Sequence, residues 1–250
     1  MAAGPAVPTR RPTTAGRVLV VRPLAPDDVE ATAALQASAP PSGALAVPAA
    51  LGAGFLRRWH LAHLDSPHAV ALVAEQVDDD DDAGRPASGP RVAGVLLAVL
   101  DHRAHREHLL REHGPGLATG FARASLRTPS ALTGWARHHS GPLVQAVTLL
   151  PTRGGAAARA RRAVSSGAHV PPTAELEQLV VDPAARGTGV GRQLLASLAA
   201  QAAGAGLTRV EVRVPWGTGA EGFFTACGWT ASATRPSARG GFETPFHRDL

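Results

Sequence analysis

Glycines at 187, 189 and 191, flanked by Arg186 and Arg192, stand where an apolar segment runs into an alanine- and leucine-rich one. A turn of this kind at a helix start presents main-chain N–H groups without helical partners, which is chemistry for holding phosphate oxygens. Thr188 and Val190 lie between the glycines and share the turn. The spacing excludes two other phosphate sites. A nucleoside-triphosphate loop needs G-x-x-x-x-G-K-[ST], and no Lys-Ser/Thr pair follows here. A dinucleotide fingerprint needs G-x-G-x-x-G, and position 192 is Arg where that spacing asks for Gly. Upstream stand two carboxylates, Glu175 and Glu177, which share one face of a strand because side chains alternate with period two. Either can serve as a base if burial or its like-charged neighbour raises its pKa. The other reading makes both simple substrate contacts or solvated charges at a strand start.

His102, His105 and His108 recur every three residues on an expected helix. Zinc enzymes with two helical histidines use a spacing of four with a nearby acid, so a partly exposed helix rich in Arg, Glu and His is the plainer reading, and no metal is expected. The single cysteine, Cys227, excludes an internal disulfide framework and a cysteine-based zinc site. It lacks an activating His nearby and reads as helix packing.

These groups need elements to position them. Arg17 to Arg22 reads as a strand, and Pro26-Asp27-Asp28 opens a helix to about Gln36, with acids near its N-terminus. Ser38 to Gly43 is a loop. Ala49 to Leu64 has helical spacing in Leu51, Phe55, Trp59 and His63. Ala69 to Val77 and Val92 to Leu100 read as buried strands joined by a solvated tip, Asp78 to Pro90, whose five aspartates lack the ligand spacing of a calcium loop. Asp101 to Gly141 forms two or three short helices that interrupt the next hairpin. Gln145 to Leu150 suits an edge strand, and Thr152 to Pro172 a flexible loop carrying Arg153, Arg159, Arg161 and Arg162. From Glu175 the order is strand, helix (Gly191 to Ala203), strand (Thr208 to Val214), helix (Ala220 to Ala226), and a terminal hairpin from Trp229 to Thr234 and Phe242 to Arg248.

The pattern R-x-x-G-x-G, as Arg186, Gly189 and Gly191, resembles the acyl-CoA signature of the GCN5-related N-acetyltransferases, the GNAT family. Asp182-Pro183 ends the strand as the family's V-x-P does. Ala220 to Trp229 is similar to its A-x-x-F-Y-x-x-x-G-F, and Val18 to Val29 to its opening strand and first helix. The resemblance implies an α/β fold with a mixed, twisted central sheet flanked by helices, the helical insertion at about 101–141 lying before the CoA-binding strand. It implies transfer of an acetyl group from acetyl-CoA to a primary amine of a small molecule or protein, by direct attack in a ternary complex. It also implies that the pyrophosphate sits on Arg186 to Arg192, and that the donor's arm pairs with Leu179, Val180 and Val181 like an added strand, splayed from the strand at 208–214. A main-chain N–H of Val181 or its neighbour then polarises the carbonyl, and Glu175 takes the amine proton, through water in several members.

Two positions depart from the family. Phe224 stands where many members have the tyrosine that protonates the departing thiolate. Pro215 to Gly219 replaces the segment that usually carries an asparagine on the CoA arm. Solvent, Thr225 or Cys227 can supply the missing proton; otherwise the chain is a non-catalytic acyl-CoA-binding or regulatory protein. Trp135 and the arginines near Arg161 either line the acceptor side or pack.

Composition bounds the rest. The 250 residues suit one large domain, with residues 1–16 expected as a disordered tail and 17–250 as the single domain. All 25 basic residues are arginine and Lys, Asn, Ile and Tyr are absent, the mark of GC-rich codons. The +5 charge therefore reflects composition more than a designed basic surface, and neither aromatic-basic interleaving nor an apolar membrane span accompanies it. A basic nucleic-acid-binding protein would rest on charge alone. The expectation is a cytoplasmic protein whose partners are acetyl-CoA and an amine acceptor, with no nucleic acid and no membrane, and with a homodimer, common in the family, as its assembly.

Overall fold

The computed structural model describes residues 9–12, 17–38, 52–78, 90–127, 172–237 and 241–250. The described residues form one sheet of nine strands, valine- and leucine-rich in its centre: β1 (Thr9–Pro12), β2 (Arg17–Pro23), β3 (Ala69–Asp78), β4 (Arg91–Val99), β5 (Thr173–Val181), β6 (Arg209–Pro215), β7 (Thr230–Ala231), β8 (Arg235–Pro236) and β9 (Phe242–Asp249). The order across the sheet is β1-β2-β3-β4-β5-β6-β9-β7, with β8 also on β9. Every pairing is antiparallel except β5 with β6.

The parallel pair needs a crossover, and α5 (Val190–Gly204) supplies it. Its buried stripe of Val190, Leu194, Leu195, Leu198 and Ala202 lies on Leu19, Leu72, Leu96, Leu176 and Val212. Gly94 permits that approach, because a Cβ there would meet Val190 Cγ1 at 2.9 Å. The short α6 (Ala220–Ala226) adds Phe224 to the same layer. The opposite face of the sheet is covered by α1 (Val29–Ser38), α2 (Ala53–Leu64) and the helical insertion. There Phe55, Trp59 and Ala62 pack with Val95, Leu97, Leu109 and Leu117.

Buried polar links fix α1 and α2. His60 Nδ1 lies 2.9 Å from Thr32 Oγ1 and its Nε2 2.6 Å from Gln36 Oε1. Burial pushes the His60 pKa down to about 3, so the ring is a neutral strut. Arg22 reaches Asp28 at 2.6 Å and Glu75 at 2.5 Å, tying the first helical turn to β3. Burial alone would raise the Asp28 pKa; the Arg22 guanidinium outweighs it and holds the carboxyl below its ordinary value.

The expected strands and helices appear within a few residues of their predicted limits, with four differences. Residues 1–16 are not a tail throughout, because Thr9–Pro12 pairs antiparallel with β2. As far as it is described, to Arg127, the insertion is one helical run rather than separate short helices: α3 (His102–His108), a π turn (Leu109–His113) and α4 (Gly114–Arg127) follow without a break. The last hairpin uses two short strands, β7 and β8, against β9 in place of one. The helix expected from Ala49 is described from Ala53. The interiors of the loop expected at 38–43 and of the aspartate tip lie outside the described residues. So do the end of the insertion, with Trp135, the edge strand at 145–150, and the arginine-bearing loop before Pro172.

Candidate active site

β5 and β6 pair only at Thr173↔Arg209, Ala174↔Val210 and Glu175↔Glu211. Beyond Glu175 they part, while β5 stays bonded to β4 as far as Val181. Among the described residues, the six from Leu176 to Val181 therefore run about 20 Å with no strand on the β6 side. This is a wedge whose apex is the Glu175↔Glu211 rung and whose mouth is the glycine turn.

The turn is built by the backbone. Asp182 accepts from Ala184 N at 2.9 Å and starts a single 3₁₀ turn, Pro183–Ala185, and Thr188 Oγ1 donates to Ala185 O at 2.7 Å. Gly187 and Gly189 have φ of +77° and +92°, which favours glycine, and no atom lies within 4 Å of where a Cβ would stand. Gln193 N donates to Gly189 O at 3.0 Å as the first rung of α5. The N–H groups of Val190, Gly191 and Arg192 precede that rung and have no acceptor in the helix. The concave side is thus open and lined with donors.

Not every residue of the turn faces it. Gly191 is a packing glycine: a Cβ there would meet Phe223 Cζ at 2.9 Å. Val190 is buried in the core, and Arg192 donates to Ala226 O at 3.2 Å, bracing α6, whereas Arg186 is exposed. Leu179 and Val181 pack into the α5 layer and Val180 into the other, so these three offer a ligand their main chain. Phe224 is buried against Trp229 and Phe246, with ring centroids 5.4 and 5.7 Å away.

The apex is built by side chains. A bulge in β5 opposite Leu97/Ala98 leaves Glu177 as the extra residue. It changes which residues face which side: Ala174 and Leu176 face α5, and so do Leu179 and Val181 beyond it. Glu175 and Glu177 face the other way, toward the insertion, on one face as their spacing requires. Glu175, 16% exposed, has Oε2 at 2.9 Å from His102 Nε2 and 3.5 Å from Arg213. Glu177 Oε2 lies 3.0 Å from Nε2 of the fully buried His63, whose Nδ1 is 2.9 Å from Trp59 O. A carbonyl only accepts, so Nδ1 carries a hydrogen and Nε2 is the nitrogen that faces the carboxylate. Burial raises the Glu177 pKa, but its hydrogen bond to His63 and the neighbouring histidines outweigh that and lower it. The raised pKa wanted in a free base is not found at Glu177.

His105 joins the group from α3, its ring centroid 4.8 Å from that of His63 with the planes tilted by 49°, and its Nδ1 2.8 Å from Ser66 Oγ. Burial pushes its pKa down to about 3. The contact with Glu175 works the other way on His102 and raises its pKa, against a smaller effect of burial. His102 and His105, read from sequence as members of an exposed helix, are therefore brought to the candidate carboxylates. His63 and Arg213 were missed as well. The usable signal was the three-residue recurrence, which aims His102 and His105 at the same side of α3. Among the described residues no group of three or more His, Cys, Asp or Glu is arranged to hold a metal ion. No helix among them is long and apolar enough to cross a membrane.

The acetyltransferase (GNAT) family model matches residues 102–229, just over half of the chain. Among curated proteins, none matches this sequence. The fold is similar to the GNAT domain of S. lividans PAT, at 16% identity over 97% of each chain with a TM-score of 0.51. It is also similar to a GCN5-related N-acetyltransferase from Kribbella flavida, at 18% identity over 93% of this chain and 98% of that one, TM-score 0.51. A Salmonella typhimurium protein solved with its cofactor acetyl-CoA is a more distant likeness, at 15% identity over 93% and 94%, TM-score 0.47.

Proposed function

Because the chain belongs to the GNAT acetyltransferase family, we propose that it transfers an acetyl group from acetyl-CoA to a primary amine, by direct attack within a ternary complex. The observation that carries this reading is the wedge itself: an open, donor-lined turn at its mouth and a titratable cluster at its apex, joined by the unpaired edge of β5.

The residues divide the work by what each can offer. The N–H groups from Gly187 to Arg192 and the exposed Arg186 hold the pyrophosphate, and the α5 dipole adds about 0.3–1 kcal/mol. The edge of β5 from Leu176 to Val181 takes the donor's extended arm as an added strand, and a main-chain N–H near Val181 meets the carbonyl oxygen as it gains charge. The amine approaches from the insertion side, where Glu175 and its neighbours receive its proton. Phe224 offers no proton to the departing thiolate, so solvent supplies it.

The second reading, an acyl-CoA-binding protein without turnover, is favoured by one observation, the phenylalanine at 224. Thiol release from acetyl-CoA across a panel of primary amines, alongside acetyl-CoA binding by calorimetry, separates the two. The expected outcome is binding together with thiol release on some amines. Binding with no release on any would establish the second reading, and no binding would sink both.

A further inference from the structure

The group that removes the amine proton needs a lone pair that is free and reachable, and the apex offers few. Glu177 is spoken for, since its Oε2 lies 3.0 Å from Nε2 of the buried His63. Oε2 of Glu175 faces both His102 and Arg213, and its side chain is only 16% exposed. Glu211, across the last rung, is 45% exposed and is paired with Arg209 at 4.0 Å. His102 differs from all three. Its side chain is 51% exposed, its Nε2 is committed to Glu175, and its Nδ1 has no partner among the described residues.

The ring is also held in place. Asp101 caps α3 by accepting from Arg103 N at 2.9 Å and Ala104 N at 3.0 Å, and Leu100 N bonds His68 O at 2.8 Å. His102 is the first residue after that cap, so its position is set by the backbone on one side and by Glu175 on the other. A carboxylate on one ring nitrogen fixes the tautomer with hydrogen on that nitrogen and leaves the other as an acceptor.

We propose that His102, contributed by the helical insertion, is the general base of the transfer, with Glu175 as the residue that orients its ring and stabilises it once charged. This rests on the acetyltransferase reading above. The ammonium of the acceptor gives one proton to His102 Nδ1. The freed nitrogen lone pair attacks the thioester carbonyl and forms the C–N bond. As the C–S bond breaks, the second proton lost by nitrogen reaches the thiolate through solvent, and His102 returns the first to solvent. One amide, one thiol and one released proton result.

The charged groups around His102 set the pH response. Glu175 and Glu177 on β5 favour its protonated form and Arg213 on β6 opposes it, while His105 on its own helix, pushed down to about 3, is neutral in this range. The balance is a raised pKa, so the acid limb of kcat/KM falls above 6.5, the ordinary histidine value. A carboxylate base would place that limb near 4. The titration of the amine adds a second limb common to all variants.

The test compares wild type with His102→Gln and Glu175→Gln on the amine of the panel that releases most thiol. His102→Gln should lose about 100-fold in kcat/KM at pH 7 and lose the limb above 6.5, with acetyl-CoA affinity unchanged and the fold intact by circular dichroism. Glu175→Gln should keep the limb but move it to lower pH, because the charge that raises His102 is gone. His102→Ala should regain activity when imidazole is added. The proposal is overturned if His102→Gln stays within about threefold of wild type, or if the limb survives in it and vanishes in Glu175→Gln. Wild type without thiol release on any amine would instead refute the acetyltransferase reading.

Discussion

The glycine turn at 186–192 and the histidine–carboxylate cluster at the apex sit at opposite ends of one wedge, and they are made differently. The turn is a local object: it lies within one continuous stretch, its donors are main-chain N–H groups, and its shape depends on two glycines with positive φ. The apex is assembled from α2, α3, β5 and β6, and its central contact joins residues 114 apart in sequence. Binding the constant part of a substrate asks only for backbone. Moving a proton asks for side chains whose environments are set by residues far along the chain. The first can be read from a short motif, and the second only from the fold.

Four changes test that division, from the largest expected effect to the smallest. Gly189→Glu forces a side chain into a left-handed backbone and points a carboxylate at the anion site. Acetyl-CoA affinity by calorimetry should fall on the order of a hundredfold or more, with the apex untouched. His63→Leu strikes the other end. It leaves Glu177 without its partner, and urea unfolding should show a loss of about 3 kcal/mol, while any folded protein still binds acetyl-CoA. Gly191→Ala should behave unlike its neighbour at 189. Its Cβ meets Phe223, so the cost is about 1–2 kcal/mol of stability with a smaller effect on affinity.

The fourth is a pH slope, small per ring and per pH unit. His60 and His105 have folded-state pKa values pushed down to about 3, whereas the unfolded chain takes up those protons near 6.5. Between those values the unfolded state binds more protons, so stability falls as the pH is lowered through that window, by about 1 kcal/mol per pH unit for each ring. Unfolding midpoints in urea at pH 7 and pH 5 would show it, and equal midpoints would contradict the neutral, buried state of both rings. His102 contributes with the opposite sign: its raised folded-state pKa stabilises at low pH, and that is lost as the pH rises through the folded value.

Much of the frame was legible because hydrophobic period and turn chemistry are local. β2 to β6, α5 and α6 appear where apolar runs, caps and glycines place them. The bulge at Glu177 left a trace that alternation alone did not use: Glu175, Glu177 and Gln178 are polar, then Leu179, Val180 and Val181 are all apolar, so strict period two already fails at 178. The roles within the turn were not legible. Three glycines look alike in sequence, yet two serve backbone conformation and one serves packing on Phe223. Arg192 matches the motif but braces α6. His63 looked like one residue in an apolar helical stripe, and only the register of β5 against β4 brings Glu177 to it.

The central claim is that a donor lies along the wedge from turn to apex. A crystal structure with acetyl-CoA tests it most directly. The account predicts pyrophosphate oxygens on the N–H groups between Gly187 and Arg192, the arm paired with β5 between Leu176 and Val181, and the sulfur near the apex on the way to Glu175 and His102. Acetyl-CoA bound with its sulfur away from that rung, or its phosphates off the turn, would contradict it.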